Sequence, residues 1–274
     1  MVLRTVRNIS LTREGKRWYV SFCVEGTFTL PNAGEASVGL DLGVAQSVTL
    51  SSGEALALPV ASIPEENRLR CLQRRASRRA KGSVRRRQAL QRLAKMRRYL
   101  ANRRRDAAHK LTTRLATTHA LIAVEDLKLK SMTASAAGTR EAPGRNVRGK
   151  AGLNRRLLAQ GHAELRRMLA YKCERSGARL VAVPPAFTSQ TCSQCGYCAP
   201  ENRKNPAAFL CVACGYTTHA DLNAAINILA AGQAVTAQGG SGITPAGELR
   251  THPRIRPRKR LAPTGIPAKA ATTA

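Results

Sequence analysis

Two near-identical segments, Cys192-Ser-Gln-Cys195-Gly196-Tyr197 and Cys211-Val-Ala-Cys214-Gly215-Tyr216, offer paired thiols with fifteen residues between the inner cysteines. This is the spacing of a zinc ribbon: two intervening residues let a tight turn hold both sulfurs about 2.3 Å from one ion, and the following glycine frees the turn's backbone. The expected ligands are Cys192, Cys195, Cys211 and Cys214. Cys198 competes by spacing with Cys195, but the repeated Cys-Gly-Tyr endings favour Cys192 with Cys195. Cys23, Cys71 and Cys173 stand alone and read as buried or idle thiols. Disulfides in a secreted domain are the competing explanation. The opening Met1-Val-Leu-Arg shows no apolar signal segment, which disfavours it.

Three acids stand where acids are unusual. Asp41 interrupts the strand-like Val38-Gly-Leu-Asp, and Gly43 two residues on leaves room for close approach. Glu125 and Asp126 end the apolar run that begins at Ala120, the pattern of a buried parallel strand with its acid at the carboxyl end. For these two the plain alternative is the start of a turn. Asp221 heads a segment with Leu222, Ala225, Ile226 and Leu229 at helical spacing, where an Asp is ordinarily an N-cap or a first-turn charge.

The elements that must position these residues belong to a chain of 274 residues with net charge +30 and 43% hydrophobic residues. That excess is the footprint of a phosphate-backbone partner, and the hydrophobic content argues against wholesale disorder. No apolar run of transmembrane length and no amphipathic aromatic anchor is present, so no membrane partner is expected. The excess peaks between Glu65 and Arg114, where nineteen Lys or Arg meet Glu65, Glu66 and Asp106. A charge run is often only a solvated face, yet repulsion on this scale calls for an anionic partner. The candidate nucleic-acid contacts are Arg74, Arg75, Arg78, Arg79, Lys81, Arg85, Arg86, Arg87, Arg97, Arg98, Arg103, Arg104 and Arg105. Leu93, Leu100, Ala107, Leu111 and Leu115 form the apolar stripe, and Lys81-Gly-Ser is the break between two helices.

In order, residues 1–34 read as a β-hairpin, and 35–187 as an α/β core carrying the basic helical hairpin 65–118. Within that core, Val38–Leu58 makes a three-stranded meander, Lys128–Gly152 a mobile loop, Asn154–Ser176 one helix ending at Gly177, and Ala178–Pro184 a strand. Residues 188–218 read as the ribbon, 219–230 as a final helix and 231–274 as a basic disordered tail. Meander, helix, strand, helix, strand, helix, with acids on the first strand, at the end of the fourth and at the head of the last helix, matches a ribonuclease-H-like arrangement. Three carboxylates there can hold two divalent cations about 3.5 to 4 Å apart for phosphodiester hydrolysis, and magnesium suits oxygen ligands.

At Gly39-Leu-Asp41-Leu-Gly-Val, Val124-Glu125-Asp-Leu, the knuckles with Glu201-Asn-Arg-Lys between them, and His219-Ala-Asp221-Leu-Asn-Ala-Ala-Ile-Asn-Ile, the sequence resembles the TnpB nucleases, or OrfB transposases, of bacterial insertion sequences. These are related to the RuvC nuclease domains of type V CRISPR effectors. The resemblance runs roughly from Arg4 to Ile243 and extends to Lys81-Gly-Ser, Arg103-Arg-Arg-Asp106 and Leu169-Ala-Tyr-Lys172. It implies that Asp41, Glu125 and Asp221 bind catalytic magnesium, that the four cysteines bind zinc, and that a guide RNA directs cleavage of DNA in the bacterial cytoplasm, at the nucleoid. About forty residues precede Asp41, where the family carries a wedge and a recognition domain. The chain is therefore expected to be amino-terminally truncated, the hairpin a wedge remnant, with another transposon-encoded protein as a further partner. A catalytically silent nucleic-acid-binding remnant or regulator, or a basic zinc-ribbon assembly protein, is the alternative.

Overall fold

The computed structural model describes residues 5–237 apart from 16, 27–29, 32 and 33. Strands β1 (Val6–Glu14) and β2 (Arg17–Val24) pair antiparallel and are exposed along their length. The hairpin is tied to the body near its tip, where Glu14 Oε1 meets Arg98 Nε at 2.8 Å.

Strands β3 (Ala36–Asp41), β4 (Val48–Leu50) and β5 (Ala55–Leu56) form the meander. Helix α1 (Ile63–Ser77) starts at Ser62, whose backbone N–H donates to Glu65 Oε2 at 2.8 Å, with Pro64 in the first turn. The chain turns at Gly82 into α2 (Val84–Thr118), where the Ser83 hydroxyl accepts the Arg86 N–H. At 35 residues, α2 is about 52 Å long. Then come β6 (His119–Glu125), a short α3 (Leu129–Met132), α4 (Val147–Gln160), α5 (His162–Ser176) and β7 (Arg179–Val183). The ribbon contributes β8 (Ala208–Leu210) and β9 (Thr217–His219), and α6 (Ala220–Ala237) closes the described fold.

The main sheet has the order β5-β4-β3-β6-β7, with β6 parallel to β3 and β7 and the other pairs antiparallel. Alternation along the strands assigns its two faces. Val38, Leu40, Ile122, Val124 and Leu180 enter one core with Leu111 and Leu115 of α2 and Leu165, Met168 and Leu169 of α5. Leu121, Ala123, Val181 and Val183 turn the other way and pack on Ile228 of α6. Residue 39 shares that second face, and a Cβ there would come within 2.2 Å of the Ala225 carbonyl, so only glycine lets α6 lie on β3. Between α2 and α5, buried Lys172 donates to the His109 carbonyl at 2.6 Å and to the hydroxyls of Thr112 and Thr113. Burial lowers its pKa, and the three acceptors offset that cost.

Three expectations need correction. The stretch 154–176 is two helices, because Gly161 adopts a left-handed φ of 72° and ends α4. The segment 128–152 is not all loop: α3 lies within it, and α4 begins at Val147, before any apolar repeat announces a helix. The final helix runs to Ala237 rather than 230, since the Ala-rich stretch after Ala230 continues it at no steric cost. Most of the expected tail, 238–274, lies outside the described residues.

Candidate functional site

Parallel pairing puts two of the acids side by side. Leu40 is the register partner of Val124, so one step further Asp41 stands beside Glu125 at the carboxyl edge of adjacent strands. Both share the face on which α6 lies, and Asp221 sits in the first turn of that helix, not at its N-cap. Gly43 brings the loop after Asp41 close: its Cβ position lies 3.9 Å from Asp221 Oδ2. Gln160 secures the same loop, donating to the Val44 carbonyl at 2.8 Å while its Oε1 accepts the Ser47 hydroxyl at 2.6 Å. His162 is buried, and burial lowers its pKa against the pull of the Gly43 and Ser47 carbonyls.

The three acids share one electrostatic environment. The Asp41 carboxyl is pushed up to about 7, first by burial and then by the charges of Glu125 and Asp221, with Arg203 and the Leu42 N–H opposing. Glu125 is raised by burial, opposed by the Thr188 hydroxyl, which donates to its Oε1 at 2.6 Å, and by Arg203. Carboxylate oxygens are the donors that hard divalent cations take, whereas among the described residues the group whose ligand atoms already lie within 4.8 Å of one another is that of the four cysteines. Asp126, the other acid of its pair, is instead ion-paired with Arg166 at 2.7 Å.

One consequence is a pH dependence. With a folded pKa of about 7 against an ordinary 3.8, Asp41 takes up a proton on folding. Its contribution to stability is then present at low pH and lost as pH rises from about 4 through 7. Melting temperatures in magnesium-free, zinc-replete buffer should show this loss, Asp41→Asn should flatten it, and magnesium binding near pH 6.5 should release a proton that the variant does not. Equal pH profiles for both proteins would remove Asp41 from the charged cluster.

Beside this edge, the four thiols converge. Cys192 and Cys214 sulfurs are 3.7 Å apart, Cys195 and Cys211 sulfurs 3.6 Å, and all four lie within 4.8 Å of one another. A tetrahedron with 2.3 Å metal–sulfur bonds has edges of about 3.8 Å, so these residues fit zinc. The knuckles are backbone copies: Cys192 N–H donates to the Tyr197 carbonyl and Cys211 N–H to that of Tyr216, each at 2.9 Å. The thiols share their protons: Cys211 is pulled down, first by the Cys214 N–H, while Cys195 and Cys214 are pushed up against the neighbouring sulfurs. Cys198 is exposed and outside the cluster.

Three asparagines missed in the sequence bind the ribbon together and to α6. Fully buried Asn202 donates to the carbonyls of Gln190 and Tyr197 and accepts the Val212 N–H. Asn223 accepts the Ser193 N–H and donates to the Thr191 carbonyl, and Asn227 donates to those of Thr188 and Thr191. Arg203, also unanticipated, belongs to the ribbon, yet its charge reaches both Asp41 and Glu125. The Glu201-Asn-Arg-Lys run between the knuckles is the sequence signal for Asn202 and Arg203.

The basic residues divide. Arg74, Arg75, Arg78, Arg79, Lys81, Arg85, Arg87 and Arg97 are exposed, and Arg86 is half-buried with its guanidinium on the Arg79 carbonyl. Half-buried Arg98, Arg103 and Arg104 are instead engaged by Glu14, Glu65 and the Ala159 carbonyl, and Arg105, still exposed, is ion-paired with Glu164. Acids supplied by distant elements are what the local charge run could not reveal.

Fold and site define a mixed α/β chain that gathers three carboxylates at one sheet edge beside a four-thiol ribbon. Residues 21–136 match the OrfB_IS605 model, described as "Probable transposase", and residues 162–228 match the "Cas12f1-like, TNB domain" model. The chain belongs to this transposase family. It is 46% identical over 240 residues to "Putative RNA-guided DNA endonuclease InsQ" of Escherichia coli (strain K12), covering 87% of this chain and 60% of that protein. It is 36% identical over 266 residues to "Putative RNA-guided DNA endonuclease" of Streptomyces pristinaespiralis, covering 96% of this chain and 62% of that protein. The chain thus spans about three fifths of the length of these relatives. Among solved structures, a Cas12f1–sgRNA–target DNA complex aligns with a TM-score of 0.44 at 19% identity, over 81% of this chain and 55% of that one. Among the described residues no helix is long and apolar enough to cross a membrane.

Proposed function

We infer that this chain is the cutting part of an RNA-guided, magnesium-dependent DNA endonuclease with a ribonuclease-H-like, RuvC-type core. The convergence of Asp41, Glu125 and Asp221 at one sheet edge carries the reading. The strand order β5-β4-β3-β6-β7, the charge of +30 and the names of the relatives support it. Sequence is then read by pairing between guide RNA and DNA rather than by side chains. DNA and guide RNA are the partners, and such work belongs at the bacterial nucleoid.

Magnesium, when bound, supplies an activated water and charge stabilisation at the leaving oxygen. The residues supply placement. Asp41 and Glu125 stand as neighbours on parallel strands, Thr188 fixes the Glu125 carboxylate, and α6 delivers Asp221 from the third side. Gln160 keeps the loop behind Asp41 in place, and Arg203 offers a basic charge that reaches Asp41 and Glu125, suited to a phosphate drawn towards them. Zinc, when bound, would act by fixing the two knuckles between which Arg203 lies.

The test offers the chain a guide RNA with matched and mismatched DNA in magnesium, alone and together with the region of a full-length relative that this chain lacks. Cleavage confined to matched DNA is the expected result. Because the chain spans only part of its relatives, a catalytically silent nucleic-acid binder is the competing reading. Binding without cleavage in both arms would establish that reading.

A further inference from the structure

Between α1 and α2 opens a cleft of about 760 Å³, within the ~300–1,000 Å³ of small-ligand sites. Its floor is made by Leu72, Met96 and Tyr99, and its rim by Arg68, Arg75, Arg92 and Lys95. An apolar, aromatic floor in the most basic part of the chain is unexpected if the hairpin only faces water or only grips phosphates. Tyr99 is the sole Phe, Trp or Tyr between Ile63 and Thr118, and the residue is 54% exposed. The ring is nevertheless held. The Arg103 guanidinium lies over it, 5.5 Å from the centroid, and is itself fixed by Glu65 through two bonds of 2.9 and 3.0 Å and by the Val60 carbonyl at 2.8 Å.

This arrangement spends the cleft's acid. Glu65 is committed to Arg103, which holds its carboxyl below the usual range, and among the described residues no ion pair engages Arg68, Arg75, Arg92 or Lys95. The cleft therefore combines a preorganised aromatic face with four lining cations that, among the described residues, no acid pairs. An acidic peptide would satisfy the cations and leave the ring unused. A duplex would offer phosphates while keeping its bases stacked inside. A flat π-face flanked by phosphates satisfies both sets, and an unpaired nucleotide within a strand carries both.

We propose that the α1–α2 cleft captures an unpaired nucleotide of a nucleic-acid strand, its base stacked on Tyr99 and its flanking phosphates on Arg68, Arg75, Arg92 and Lys95. The site rests on the reading that the chain binds nucleic acid, and not on cleavage. RNA and DNA share this chemistry, so both are probed.

The experiment measures binding of fluorescent twelve-nucleotide oligouridine and oligodeoxythymidine, and of a duplex of equal length, by anisotropy across a salt series. Tyr99→Ala should weaken single-strand binding roughly tenfold, within the range for one base on an aromatic ring, with the salt slope and duplex affinity unchanged. Tyr99→Trp should restore binding, which a merely structural role for the ring would not permit. Arg68→Ala with Arg92→Ala should flatten the single-strand slope, whereas Arg85, Arg86 and Arg87 to Ala should flatten it for strand and duplex alike. The strand more affected by Tyr99→Ala identifies the sugar. Single-strand affinity indifferent to Tyr99→Ala, in a variant with unchanged circular dichroism, overturns the proposal and leaves a phosphate-only surface. Displacement by oligoglutamate at matched charge, with Tyr99 without effect, overturns it in favour of an acidic protein partner. Failure of every nucleic acid to bind instead sinks the broader reading, and the site with it.

Discussion

Asp41→Asn, Glu125→Gln and Asp221→Asn should each lower magnesium-dependent cleavage by on the order of a hundredfold or more. Each carboxylate holds part of one coordination set, and misplacement of reacting groups by about 1 Å already costs that much. The amides keep the shape of the side chains, so loss of activity would report charge and ligation rather than folding. Stability should in fact rise near pH 8 for Asp41→Asn without magnesium, because the variant removes a carboxylate whose ionisation burial and its acidic neighbours oppose. DNA binding should survive or tighten, since a negative charge leaves the path of the phosphates. Calcium, larger and looser in geometry, should support binding without turnover. Undiminished cleavage by Asp221→Asn would sink the three-acid site, because that residue alone comes from α6.

Much of this arrangement is legible from residue types, and the unread part shares a cause. Asp41 and Glu125 announce themselves because an acid at a buried strand end contradicts local propensity, and the glycines after the knuckle cysteines mark turns. These are local signals. Arg203 carries none: only the ribbon's packing beside the sheet edge brings its charge to Asp41 and Glu125. Arg98 and Arg105 mislead for the same reason, since the acids that claim them lie on β1 and α5. Gln160 looks like an ordinary polar position on a helix, and becomes a clamp on the Asp41 loop because Gly161 breaks the helix there. The start of α4 escaped because Val147–Lys150 has no apolar repeat and its polar residues are equally at home in a loop.

Removing zinc should unfold the ribbon and disable the carboxylate site with it. Structural zinc in comparable peptides contributes on the order of 10–16 kcal/mol, more than three short β-pairs and the bonds of two buried asparagines, Asn202 and Asn223, can replace. Elemental analysis should find one zinc per chain, and Cys192→Ser with Cys214→Ser should abolish it. Cys198→Ser should leave it unchanged, since that thiol lies outside the four-sulfur cluster. The linkage to function runs through named contacts. The ribbon carries Arg203, whose charge reaches Asp41 and Glu125, and its first knuckle is tied to α6 through Asn223 and Ser193. Chelation should therefore abolish cleavage even with magnesium in excess, and increase hydrogen exchange across residues 190–216, while α2 and the sheet, packed in a separate core, remain protected. Arg203→Ala separates the two effects. It should reproduce the loss of cleavage with zinc content and ribbon protection intact. Full cleavage by that variant would show that the ribbon serves the site only as a scaffold, and full cleavage by the zinc-free protein would uncouple the two altogether.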